Sequence, residues 1–224
     1  YINGNDHGVY TFVEQLGEST LRRHNRMPAD LYTGEMNAKD KFTDSGVHNL
    51  FASSVSVWNK ASVNNHYDEY EKKPLELLLK LIALQDDPDA QERLSQLLDI
   101  PAWGEYMAHS ILSQTSHSDS FHNWKIYYDP WKQKIVPIVW DAMGLSDRIS
   151  PVVMDMVPSK LHKALYKNGD ILRARNKSLR EFFLSGMDEE FLEFVDEKIK
   201  ILEHENRNDP LLKPTNPAAV AIRM

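Results

Sequence analysis

One block constrains this chain more than any other: the run from Asp119 through His122, Asn123 and Trp124 to Trp140 and Asp141. Trp124, Ile126 and Tyr128 alternate with Lys125 and Tyr127, the period-two pattern of a half-buried strand. Asp129-Pro130 ahead of polar residues signals a turn. Ile135 to Trp140 is an apolar, β-branched run that reads as a second, more buried strand. Pro137 cannot donate to a ladder, so its strand belongs at an edge or a bulge. A hairpin returns the chain to its start, so Asn123 and Asp141 are expected side by side. An amide oxygen and a carboxylate presented together are hard ligands, suited to magnesium. Asp119, shortly before the amide, is placed to act as a base or orienting carboxylate. Any one of these acids reads more readily as a solvated loop or turn residue; their clustering at the two ends of one hairpin makes a candidate site.

The flanking sequence sets the fold class. Residues 1 to 15 read as a hairpin, with Val9 to Val13 as a β-branched, aromatic strand. Glu18 to Arg26 is expected to be a short polar helix whose Arg22, Arg23 and Arg26 form a solvated face. Residues 34–73 are poorly periodic and read as an irregular insertion with short elements. Leu75, Leu78, Leu79 and Ile82 then form a helical stripe behind Pro74. A second helix follows Asp87-Pro88, and a third opens at Pro101 with Trp103, Met107 and Ile111 at four-residue steps. These predict helices at 75–84, 88–98 and 101–115 that pack together and support the Asp119 loop. Beyond Asp141, helices are expected near 158–167, 170–185 and 188–206. The last would be capped by Asp188, with Phe191, Val195, Ile199 and Leu202 on one face. The order of strands, helices, hairpin and helices predicts an α+β domain over 1–210, with 211–224 as a tail or linker.

Composition narrows the function classes. The 224 residues carry a net charge of −7 and no basic stripe, which disfavours nucleic-acid binding. No apolar run is long enough to span a bilayer. There is no cysteine, which excludes disulfides and thiol catalysis. The chain opens on Tyr1 in what reads as mid-strand, so a fragment of a longer protein is expected.

Two motifs carry a family resemblance. Tyr1-Ile-Asn-Gly-Asn-Asp-His-Gly-Val-Tyr-Thr-Phe-Val-Glu-Gln15, followed by Leu21-Arg-Arg23 and Leu31-Tyr32, is similar to the opening segment of the CotH-like family of spore coat protein H kinases. The later order of acid, His122-Asn123, strand, turn, strand and Trp140-Asp141 resembles that family's second block. The resemblance implies an atypical, reduced protein-kinase-like fold, mostly the helical large lobe with an incomplete small lobe. It also implies ATP- and magnesium-dependent phosphoryl transfer to a protein substrate, and a spore-coat, cell-envelope or secreted location. By the same resemblance, Asp119 matches the catalytic-loop acid, Asn123 the metal-binding amide and Asp141 the second metal-binding acid. Val13, Glu14 and Gln15 match the connection where main-chain groups hold adenine. Such chemistry depends on positioning and charge neutralisation more than on covalent work by the protein. The chain departs from the pattern at three points. The Asp119–Asn123 loop is about one residue short, Met143 stands where the family commonly has another acid, and the upstream phosphate-contacting basic residue is absent.

Two rival readings stand beside the enzyme, which is favoured. One is a non-catalytic, kinase-like surface or coat module that binds partners. The other is a zinc hydrolase using His109, His117, His122 and Asp119, residue types that ligate zinc, although no HExxH spacing supports it. Trp140 is expected to pack the end of the second strand, and Lys125 to project away from the apolar face into solvent.

Overall fold

The alternation around Trp124 fixes a sheet with two differently covered faces. The computed structural model describes residues 8–10, 12–36, 48–52, 54–61, 72–142 and 155–209. Four strands, β1 (Leu31–Gly34), β2 (Trp58–Ala61), β3 (Trp124–Asp129) and β4 (Lys134–Ile138), form an antiparallel sheet in the order β2-β1-β3-β4. Seven helices accompany it among the described residues: α1 (Glu18–Arg23), α2 (Lys73–Ala83), α3 (Pro88–Leu97), α4 (Ile100–Ser113), α5 (Lys160–Lys167), α6 (Gly169–Leu184) and α7 (Met187–Asn208). The α+β expectation holds. None of these helices is long and apolar enough to cross a membrane.

The expected hairpin is β3–β4, with Tyr127 opposite Val136 and Asp129 opposite Lys134. Asp129 closes its turn by accepting from the N–H groups of Trp131 and Lys132, each at 3.0 Å. Pro137 lies on the edge strand, opposite Ile126, where a missing N–H is tolerated. That edge is covered by the start of α4: the Ile135 carbonyl accepts from Asp99 N at 3.0 Å and from Trp103 Nε1 at 2.9 Å.

Side chains sort by strand parity. Tyr32, Trp58, Trp124, Ile126 and Ile135 join the main core with α2 to α5, where Leu78, Ile82, Trp103 and Met107 are fully buried. Leu97 is also buried, while Ile111 is half-buried. On the other face Leu31, Tyr127 and Val136 form a second, smaller core with Leu21 of α1. Gly34 makes room for the main core, because a Cβ there would stand 2.7 Å from the Trp58 ring. Gly104 does the same for helix packing: a Cβ there would meet the Ala174 Cβ of α6 at 2.5 Å and its backbone carbon at 2.7 Å.

Several expectations are corrected. Tyr1 to His7 lie outside the described residues, as do Met143 and 210–224. Of the strand expected at Val9 to Val13, the described residues have no regular structure and no ladder partner. β propensity reports fit to a paired, half-buried surface, which these residues lack. The 34–73 stretch contributes β2, too short to show alternation in sequence. Asp188 is not the cap of α7. That helix starts after Gly186, whose φ of 78° lies in the left-handed region, and Asp188 sits in the first turn. On α7, Val195, Ile199 and Leu202 are half-buried while Phe191 is exposed.

The chain divides into two compact units. Gln15–Leu145 with Ile149–Ser178 contains the sheet, α1 to α5 and most of α6. Tyr1–Glu14, Ser146–Arg148 and Leu179–Met224 contain the end of α6 and α7. Within this second unit, Val9 N–H donates to Asp209 Oδ2 at 2.9 Å.

Two stability outcomes follow from this packing. Gly104→Ala forces α4 away from α6 and is expected to cost about 1–3 kcal/mol, as overpacking does. An unchanged urea midpoint would show that the helices do not approach this closely. The second outcome concerns His162, which packs its ring 5.2 Å from that of Trp124 and places Nδ1 2.9 Å from Ser159 Oγ. Burial pushes its pKa down from 6.5 to about 4. The neutral ring's contribution is therefore complete above about pH 6.5 and is lost as pH falls toward 4, because the unfolded chain takes the proton first. Between pH 7 and 4.5 this residue should remove roughly 2–3 kcal/mol of stability. Denaturant titrations of His162→Gln should show a correspondingly flatter pH dependence; equal slopes would contradict the buried neutral ring.

Candidate active site

The site is built on the loop between α4 and β3. Asp99 caps α4 by accepting from Ala102 N at 3.2 Å, and Gln114 ends the helix in a left-handed conformation. The chain then runs through His117 to Asn123 before entering β3. Bonds from several directions pin it. Trp124 Nε1 donates to the Asp119 carbonyl at 2.6 Å, and the Ser120 and Phe121 carbonyls accept from Leu50 N at 2.9 Å and Met36 N at 2.7 Å. Ser120 Oγ donates to the Pro158 carbonyl at 3.0 Å.

Asp119 works first for its own loop. Its Oδ1 accepts from the N–H groups of Phe121 at 2.7 Å and His122 at 2.8 Å, and the His122 Nδ1 stands 3.2 Å from the same oxygen. No hydrogen bond joins this carboxylate to Asn123 or Asp141 among the described residues.

Asn123 and Asp141 are brought together by one imidazole. His117 Nδ1 lies 3.1 Å from Asn123 Nδ2, 3.1 Å from Asp141 Oδ2 and 3.0 Å from the Asp141 carbonyl. The Asn123 amide also donates to the His117 carbonyl at 3.1 Å. Asn123 is buried, whereas the Asp141 and His117 side chains are each 42% exposed. Both Asn123 and Asp141 sit at positive φ, 63° and 49°. Asn and Asp enter this left-handed region more readily than other non-glycine residues, and hydrogen bonds restrain the backbone there.

Glu35, just past β1, supplies part of that restraint at Asn123: its Oε2 accepts from Asn123 N at 3.1 Å. Sequence reasoning missed this residue, because the bond crosses 88 positions and depends on the β1–β3 register. Lys125 is also corrected. It does project away from the main core, but it is half-buried, 3.3 Å from Thr33 Oγ1 and 5.0 Å above the Trp140 ring. Burial holds its pKa below the usual lysine range, against an opposing pull from Glu35. Trp140 thus lies beside Lys125 at the site edge.

Of the connection residues, Val13 and Glu14 belong to one unit and Gln15 to the other. The Gln15 carbonyl accepts from Thr20 Oγ1 at 2.8 Å. The zinc set does not gather. His109 Nδ1 is buried on α4 without a partner, His122 pairs with Asp119, and His117 pairs with Asp141. No group of three His, Asp or Glu able to hold a metal occurs among the described residues.

With this geometry in view, a family model described as CotH kinase protein matches residues 1–171 of the 224. The chain belongs to the CotH kinase family. Membership supports a kinase-like, transferase function for the CotH-type chain and covers both blocks of sequence that resemble the family. No curated protein matches it.

Glu35→Ala should release the Asn123 N–H without dismantling the sheet. Amide hydrogen exchange at Asn123 is expected to quicken at least tenfold, on the order of 1.5 kcal/mol for a bond to a charged acceptor. Core amides such as that of Ile126 should stay protected. Unchanged exchange at Asn123 would mean that Glu35 does not hold it.

Proposed function

We propose that this CotH-family chain carries the catalytic site of an ATP- and magnesium-dependent transferase that moves a phosphoryl group onto a protein side chain. The observation that carries the reading is the convergence of Asn123 and Asp141 on His117, both at positive φ. A carboxylate and an amide oxygen are the hard donors that a magnesium ion takes, and the Asn123 amide nitrogen is the atom turned to the His117 carbonyl, which leaves the oxygen as the donor for the ion. The donor set therefore fits the cation, with Asp141 and Asn123 holding it. Magnesium, when bound, neutralises the charge of the triphosphate.

The protein's own groups account for the rest. Oδ1 of Asp119 is held by two backbone N–H groups, which fixes the carboxylate, and Oδ2, 3.4 Å from His122 Nδ1, is the oxygen proposed to take the proton. The substrate hydroxyl oxygen would bond to the γ-phosphorus and pass its proton to Asp119. The bond to the bridging oxygen would break, and ADP would leave with the electron pair. Lys125, desolvated over Trp140, adds positive charge on the strand that leaves Asn123. Main-chain groups of Val13, Glu14 and Gln15 are the proposed contact for adenine.

Binding and transfer should separate by residue. Asp141→Ala should abolish Mg-ATP binding measured by calorimetry. Asp119→Ala should bind within severalfold of the parent yet transfer label from radioactive ATP about 10²–10⁴ times more slowly, the worth of a positioned base. Nucleotide binding without any transfer by the parent protein would instead favour the non-catalytic binding module.

A further inference from the structure

We propose that Lys125 is an anion-binding residue whose ammonium takes a phosphate oxygen of the nucleotide, beside the cation held by Asn123 and Asp141. The inference rests on the nucleotide site of the function just proposed and names the part of the ligand that the sheet itself contacts.

The first support is placement. Lys125 is the second residue of β3, two residues after Asn123. In the ladder it stands between Thr33 of β1 and Ile138 of β4. The adjacent row on the same face, Leu31, Tyr127 and Val136, is covered by Leu21 of α1. Lys125 lies one row nearer the site. Its Nζ is 3.3 Å from Thr33 Oγ1 and 5.0 Å from the centroid of the Trp140 ring, and Trp140 is the residue before Asp141. The ammonium is therefore carried beside both chain segments that present the ligands of the cation.

The second support is a charge that the protein does not answer. The side chain is half-buried, yet no carboxylate stands within ion-pairing distance of it among the described residues. Glu35 acts on it from farther away, and Glu35 Oε2 is already taken by the Asn123 N–H at 3.1 Å. What remains is a long contact to a hydroxyl and the face of a ring. Other covered lysines are provided for: Lys60 has Asp30 at 3.2 Å, and Lys72 donates to the carbonyls of Val55 and Trp58. Withdrawing a cation from water without a counter-charge is costly. A lysine held in this way is completed by an anion that arrives as ligand.

The chemistry of the site selects that anion. The net charge of −7 repels a polyphosphate at long range, so the ligand depends on cations placed locally. An ammonium is a compact point charge with three donors, suited to a phosphate oxygen. It adds to the neutralisation that the metal supplies when bound.

The test compares Mg-ATP with magnesium tripolyphosphate, which has the phosphate chain without the nucleoside, on the whole chain at one fixed pH. By calorimetry the parent protein should bind both, and the two should compete. Lys125→Met, which keeps the apolar stem, should weaken both by roughly tenfold or more with a urea midpoint near that of the parent. Lys125→Arg should stay within about threefold of the parent. The parent protein also decides the matter alone, where the Met variant fails to fold. Acetic anhydride labelling of Lys125, read by mass spectrometry, should slow roughly tenfold or more with magnesium tripolyphosphate and stay unchanged with adenosine. Unchanged affinities in Lys125→Met, a loss confined to ATP, or a Lys125 left unprotected by tripolyphosphate overturns the role of Lys125 and leaves the Asn123–Asp141 site standing. No binding of either ligand by the parent overturns this proposal and also counts against the nucleotide site beneath it.

Discussion

Trp124 is the residue on which the site depends. It is the first residue of β3 and is almost fully buried. Its ring meets Phe51 edge-on at 5.2 Å, lies 6.0 Å from Tyr106 of α4 and 5.2 Å from His162 of α5. Its one polar atom donates to the Asp119 carbonyl at 2.6 Å. A single side chain therefore ties the sheet and the helical core to the loop that carries Asp119 and Asn123. Aromatic pairs in these geometries contribute about 0.5–1.5 kcal/mol each beyond their buried area. The loop needs such an anchor because its bonds to Glu35, Met36, Leu50 and Pro158 reach segments outside regular structure.

Around that anchor, the sheet gives the site two sides. Gly34 and Trp58 close the face toward the core, while Thr33, Lys125 and Trp140 line the other. Glu35 continues the parity of Thr33 and reaches the Asn123 N–H. The arrangement resembles preorganisation, in which groups are held by packing and outer hydrogen bonds before any ligand arrives. The positive φ values at Asn123 and Asp141 suit these residue types, which enter the left-handed region more readily than other non-glycine residues.

The hairpin was legible in the sequence because its signals are local. Alternation, an Asp-Pro turn and a β-branched run all fall within twenty-odd residues, and the helix stripes of α2 to α4 are equally local. That Asn123 and Asp141 fall at the same end of the hairpin follows from its closure; that both reach His117 does not. Glu35 was invisible because it acts across the β1–β3 register, and β1 is only four residues long. His117 was noticed as a ligand type but assigned to a zinc set; its actual neighbours depend on where the loop after α4 turns. Val9, Tyr10, Phe12 and Val13 misled because β-branched and aromatic residues indicate a strand only where a partner strand pairs with them, and none does among the described residues. Asp188 misled because an acid in the first turn of a helix and an acid at its cap look alike in sequence.

The central claim is that this frame presents Asn123 and Asp141 to one divalent cation. Crystals grown with manganese, measured at a wavelength where manganese scatters anomalously, test it most directly. The account predicts one strong anomalous peak about 2.0–2.3 Å from an Asp141 carboxylate oxygen and from Asn123 Oδ1. A peak elsewhere on the chain, or well-ordered Asn123 and Asp141 side chains with no peak between them, would contradict it.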